Sequence, residues 1–110
     1  WYGDDNCQQY IQLEQGKLCF KIWVKHREAR AELRDKYYCI LIAAGEKYGE
    51  RIIRPARMGM GEYMTIAILE NEYRICDSNG LIDIPKTVAY LQKLTEILEH
   101  ALEEDVKIKI

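Results

Sequence analysis

Apolar and polar residues alternate from Gln8 to Lys25, and the alternation folds back on itself at Gln15-Gly16. A two-residue turn there, with glycine supplying a positive φ, predicts a β-hairpin that pairs Glu14 with Lys17. The register then sorts the side chains. Gln9, Ile11 and Leu13 fall opposite Ile22, Phe20 and Leu18 on one face, while Gln8, Tyr10 and Gln12 fall opposite Trp23, Lys21 and Cys19 on the other. One face is apolar and the other mixed, as in a sheet covered on one side, and a slip of one residue would destroy the sorting.

The period then changes to that of a helix, from about Glu28 to Tyr48. Leu33, Tyr37, Ile40, Leu41, Ala44 and Tyr48 form one apolar stripe. Arg27, Glu32, Arg34, Asp35 and Lys36 lie off it, Arg30 falls at its N-terminal end, and Gly49 suits a C-cap. Residues 51–54 read as a short strand stopped by Pro55. Tyr63 to Glu70 reads as a longer one, with Met64, Ile66 and Ile68 on one side and Tyr63, Thr65, Ala67 and Leu69 on the other. Tyr73 to Cys76 would add a short strand before the turn Asp77-Ser78-Asn79-Gly80. A second helix follows from about Ile84 to Glu104, with Asp83 as N-cap, Pro85 in the first turn and Val88, Leu91, Leu94, Leu98, Ala101 and Leu102 as its stripe. Val106 to Ile110 could form a last strand. The order ββαββα predicts an α+β two-layer sandwich, an antiparallel sheet of four to five strands with two helices on one face.

The 110 residues fit a single domain, 1–110, and 48% apolar with 31% charged residues marks a globular chain. No apolar run nears the roughly 18 residues of a membrane span, and no leader of the secretory kind is visible. The first residue is Trp1 and not Met, so the chain reads as part of a longer polypeptide. Cys7, Cys19, Cys39 and Cys76 lack CxxC spacing, and His26 and His100 stand apart, so no metal site is expected. Reduced cysteines in apolar segments point to a cytoplasmic compartment.

Charge is partitioned. Residues 21–57 hold ten Lys/Arg against five Asp/Glu, and residues 58–110 hold five against ten. Such asymmetry suits either a basic face for an anionic partner or two helices of complementary charge. Arg27, Arg30, Arg34, Arg51, Arg54 and Arg57 could meet a phosphate backbone, although acids are interleaved among them and the pI is about 5.7. The loop from Pro55 to Glu62 carries Gly59 and Gly61, which allow close backbone approach to an anion. It leads into a strand, however, whereas a phosphate loop leads into a helix. A glycine-bearing hairpin loop between neighbouring strands, with Met58 and Met60 covering the sheet end, explains it better.

Trp1, Tyr2, Tyr10 and Trp23 are candidates for an aromatic patch, suited to an interface with another domain or subunit or to base stacking. Catalysis has little to work with. The acid-x-Lys of Asp105-Val106-Lys107 has no strand-borne acid to join it, and no nucleophile lies near a histidine in sequence. No catalytic residue and no cofactor is expected.

Several stretches together resemble the C-terminal region of PD-(D/E)XK nuclease-superfamily proteins of gut-type bacteria. They are residues 10–22 (YIQLEQGKLCFKI), 30–38 (RAELRDKYY), 53–67 (IRPARMGMGEYMTIA) and Asn79 to Asp83. The resemblance implies an accessory domain without the nuclease core, associated with DNA processing or defence. Its partners would be nucleic acid, a nuclease domain of the same polypeptide or a second copy. The other reading is a structural or protein-interaction module, self-associating through the Trp1–Trp23 hairpin face, or a small phage or anti-phage factor. A stand-alone enzyme ranks third.

Overall fold

The computed structural model describes residues 2–3, 5–14, 16–56 and 61–109, with side chains for all of these except Tyr2 and residues 104–109. Five strands form one antiparallel sheet: β1 (Tyr2–Gly3), β2 (Cys7–Glu14), β3 (Lys17–Val24), β4 (Ile52–Ile53) and β5 (Tyr63–Leu69), in the spatial order β1-β2-β3-β5-β4. A single 3-10 turn at Arg27–Ala29 leads into α1 (Arg30–Lys47), and the chain ends in α2 (Ile84–Lys109). The α+β class and the two-helix, antiparallel plan agree with the sequence.

The hairpin register is the expected one, from Cys7 opposite Val24 to Glu14 opposite Lys17, with Gly16 at φ 75° in the turn. The core grows from its apolar face. Leu18, Phe20, Ile22 and Val24 pack with Met64, Ile66, Ala67 and Leu69 of β5, with Tyr37, Leu41 and Ala44 of α1, and with Leu94, Ile97, Leu98 and Ala101 of α2.

Four expectations are corrected. Tyr73 to Cys76 is no strand; the only bridge there joins Cys76 to Ile82. One side chain and one backbone bond hold the segment instead: the Ile75 N–H donates to Thr87 Oγ1 at 2.9 Å, and the Asp83 N–H donates to the Ile75 carbonyl at 2.7 Å. The fifth strand comes from Tyr2–Gly3, which pairs with Gln9 and Gln8 at the sheet edge. Val106 to Lys109 is helical because no glycine or proline interrupts α2 after Pro85, and Ile110 lies outside the described residues. In α2 the buried face runs Leu94, Ile97, Leu98, Ala101, which extrapolates back to Thr87 and leaves Val88 45% exposed.

The fourth correction shapes the other face of the sheet. Phe20 pairs with Ala67 but Lys21 pairs with Thr65, so Ile66 is an extra, bulged residue in β5. Ile66 and Ala67 are therefore both buried, and beyond the bulge the alternation inverts. Leu69 turns into the core, and Ile68 turns to the side away from the helices, opposite Cys19.

Helix α1 ends as Gly49 predicts. At φ 72° this glycine donates its N–H to the Glu46 carbonyl, and the Glu50 N–H closes onto the Gly45 carbonyl at 2.8 Å. The Glu50 carboxylate, 8% exposed, then accepts hydrogen bonds from Tyr90 Oη and Lys93 Nζ, both at 2.7 Å. These bonds clamp the end of α1 to α2. Burial, and next the bond to Glu50, push the Tyr90 hydroxyl pKa well up.

Candidate interaction face

The helices cover only one side of the sheet. On the other side, register sets out three rows across the central strands. Gln8, Trp23 and Tyr63 form the first; Tyr10, Lys21 and Thr65 the second; Gln12, Cys19 and Ile68 the third, with Ile53 of β4 beside Ile68. Two of the four aromatic residues expected to form a patch, Tyr10 and Trp23, thus stand diagonally on this open face. Tyr2 pairs with Gln9, whose side chain belongs to the buried side, so its register position differs from theirs. Trp1 lies outside the described residues.

Sequence reasoning missed Tyr63, which is 58% exposed and directly opposite Trp23. It also missed Ile68, assigned to the wrong side of β5 because a bulge leaves no mark on a period-2 pattern. Lys21 sits mid-face with its side chain only 14% exposed and reaches Glu14 Oε2 at 3.1 Å. Burial raises the Tyr10 pKa, with Lys21 opposing the shift.

At one end of the face, where β2 begins and β3 ends, an open pocket of about 470 Å³ is lined by Asp5, Gln8, Trp23, Glu62 and Tyr63. Trp23 Nε1–H donates to Glu62 Oε1 at 2.8 Å, which fixes the carboxylate against the indole. At the opposite end lie the hairpin tip and Lys17.

The arginines do not form one surface. Arg30 ties the chain ahead of α1, donating from Nε to the Val24 carbonyl at 3.1 Å and from Nη2 to the Lys25 carbonyl at 3.4 Å. Arg34 donates to Asp35 at 2.9 Å with its side chain 13% exposed, and Arg51 to Glu70 at 2.6 Å. Arg27 and Arg54 are exposed, and Arg54 is engaged in a further interaction. Helix α1 has 18 residues, so Arg27 and Arg51, flanking its two ends, are separated by roughly 27 Å of helix. Arg57, Met58, Gly59 and Met60 lie outside the described residues, and Gly61 is exposed next to Glu62.

Arg74 makes a two-pronged contact with Glu72, Nε to Oε1 at 2.8 Å and Nη2 to Oε2 at 3.0 Å. These hydrogen bonds hold the Glu72 carboxyl at about 2. A depressed carboxylate pKa adds stability that is present above the ordinary range and lost as pH falls toward 2. An NMR titration should place the Glu72 midpoint near pH 2, and Arg74→Gln should raise it toward the ordinary value of about 4.3, the backbone N–H of residue 74 still donating to the carboxylate.

All four cysteines are free, Cys39 and Cys76 exposed and Cys19 buried, with the Cys19 thiol pKa raised by burial and next by Glu14. A thiol-disulfide reagent at pH 8 should modify Cys39 and Cys76 in the native chain, and Cys19 only on unfolding. Mass mapping of the labelled sites checks this. Among the described residues no group of three His, Cys, Asp or Glu side chains could hold a metal ion, and no helix is long and apolar enough to cross a membrane. A second apolar patch lies around the start of α2, where Leu81, Ile82, Ile84 and Val88 are all at least 45% exposed.

Compared with known protein families, characterised proteins and solved structures, the chain matches none.

Proposed function

We propose that this domain is a non-catalytic interaction module that works through the open face of its sheet and first of all binds a second copy of itself. The observation that carries the reading is the set of three rows just described, a mixed surface that gathers Tyr10, Trp23, Tyr63 and Ile68 on the side of the sheet that, among the described residues, neither helix covers. Four of the arginines that would have served nucleic acid are either bonded within the chain or held at opposite ends of α1.

Charge favours a second copy. Lys17 lies at the hairpin tip, where Glu14 is bonded to the mid-face Lys21, while Asp5 and Glu62 lie at the other end of the face. A two-fold axis lying between the two faces, perpendicular to β3 and level with Phe20, would lay the tip of one copy over the acidic end of the other. Two sheets packed in this way cross at about −30° with side chains interleaved.

Size sets the strength. Strands of eight, eight and seven residues between two-residue edge strands, at about 3.3 Å per residue and about 4.8 Å apart, give a face of at most roughly 26 by 19 Å. A face-to-face pair would hide at most on the order of 1,000 Å², below the usual size of stable complexes, so weak association, micromolar or weaker, is expected. The nuclease association rests on the resemblance alone; within it, this face would join the accessory module to its copy or to its nuclease domain.

Light scattering across a concentration series tests the reading. Tyr63→Ala, at an exposed position, should raise the dimer dissociation constant about tenfold or more, as loss of a central aromatic does at interfaces. Leu81→Ala should leave it unchanged. Duplex DNA binding at low salt that is lost in Arg54→Ala, with no self-association, would overturn the reading.

A further inference from the structure

We infer that the pocket lined by Asp5, Gln8, Trp23, Glu62 and Tyr63 is a site for an organic cation, an alkylammonium or guanidinium group. Its chemistry selects against the alternatives. Among the described residues two carboxylates and no basic side chain line it, which disfavours an anion. A bare divalent ion seeks six or more oxygen ligands, and here two of the five lining residues present aromatic rings. A neutral apolar ligand would desolvate both carboxylates, and the Trp23 bond to Glu62 offsets only part of that cost. A cation carried on carbon fits each feature, because it is drawn to the faces of Trp and Tyr as well as to the carboxylates.

The walls are also set in advance. Gln8, Trp23 and Tyr63 are register neighbours on three adjacent strands, so the sheet fixes their spacing. The bond from Trp23 Nε1 to Glu62 Oε1 holds the carboxylate beside the indole. Little ordering is left for the ligand to impose.

The cation can come from two sources. One is a free amine. The other is Lys17 of the second copy, which the tip-over-root arrangement brings above this pocket; that source rests on the self-association proposed above, and the pocket chemistry does not.

The probe is choline, with 3,3-dimethyl-1-butanol as its neutral isostere. The Trp23 indole N–H, distinguished from that of Trp1 by Trp23→Phe, reports occupancy in a nitrogen–proton NMR titration. Choline should shift this resonance saturably, with affinity falling as salt is added. The alcohol should bind at least about tenfold more weakly, and Glu62→Gln should weaken choline about tenfold. Glu96→Gln, on the remote helix α2, should change nothing. No saturable shift, an equal response to the alcohol, or full affinity in Glu62→Gln overturns the inference. Lys17→Ala separates the sources. If Lys17 of the second copy fills the site, that variant weakens the dimer and choline dissociates the native one. If the chain is monomeric yet choline still binds with the stated selectivity, the cation site stands and the self-association reading fails.

Discussion

Replacing Phe20 by alanine should destabilise the domain by about 3–5 kcal/mol, the largest single effect expected in this chain. Phe20 is 1% exposed in the middle of β3, opposite Ile11 on one side and Ala67 on the other. It sits where the β5 bulge begins, and the ring faces the layer of side chains from both helices. Two terms add: the transfer of the lost ring atoms, and the cavity that a sheet braced on both sides cannot close. Domains of this size are held by about 5–15 kcal/mol, so the variant should be marginally folded or unfolded at room temperature. Urea denaturation gives the value directly. Leu13→Ala, on the same face but 48% exposed at the hairpin tip, should cost under about 1 kcal/mol. Equal losses for the two variants would contradict the packing described.

Gly45→Val should cost about 2–3 kcal/mol, opposite in sign to the usual effect of removing a helix glycine. A Cβ at this position would come within 2.8 Å of Ile52 Cδ1, 3.0 Å of Ile52 Cγ1 and 3.1 Å of the Glu50 carbonyl oxygen. Ile52 is itself buried against the core, so it has little room to move. Glu50 is fixed by its N–H bond to Gly45 and by the Tyr90 and Lys93 contacts to its carboxylate. Gly49 offers the comparison. A Cβ there meets nothing, so Gly49→Ala should lose only about 1 kcal/mol, from its left-handed backbone. Thermal unfolding of both variants checks the ranking, and a neutral Gly45→Val would show that α1 does not press on β4.

Local rules made the hairpin and both helix caps readable. Two residues at a turn, a glycine of positive φ and alternating polarity leave one register, and an aspartate three residues before Lys86 accepts its N–H at 3.0 Å. Where non-local packing decides, the pattern misleads. The Ile66 bulge exists because β5 must match β3 across the sheet, and nothing in Met64 to Leu69 alone marks it. Val88 looked like core because its spacing to Leu91 is helical, yet the side of α2 that meets α1 is set further along, at Leu94 and Ile97. The candidate face was half legible. Tyr10 and Trp23 followed from the hairpin register, whereas Tyr63 and Ile68 joined them through pairing with a strand some forty residues away. The partners of Arg30 and Arg51, the Val24 and Lys25 carbonyls and Glu70, could not be read from the sequence for a related reason: the fold brings them together.

The most direct test of the open face is an isotope-filtered NOE experiment on a mixture of labelled and unlabelled chains at millimolar concentration. Contacts between copies are expected from Tyr10, Trp23, Tyr63, Thr65 and Ile68, with tip residues of one copy close to Trp23 and Tyr63 of the other. A monomer with no such contacts, or contacts confined to Leu81, Ile84 and Val88 at the start of α2, would contradict it.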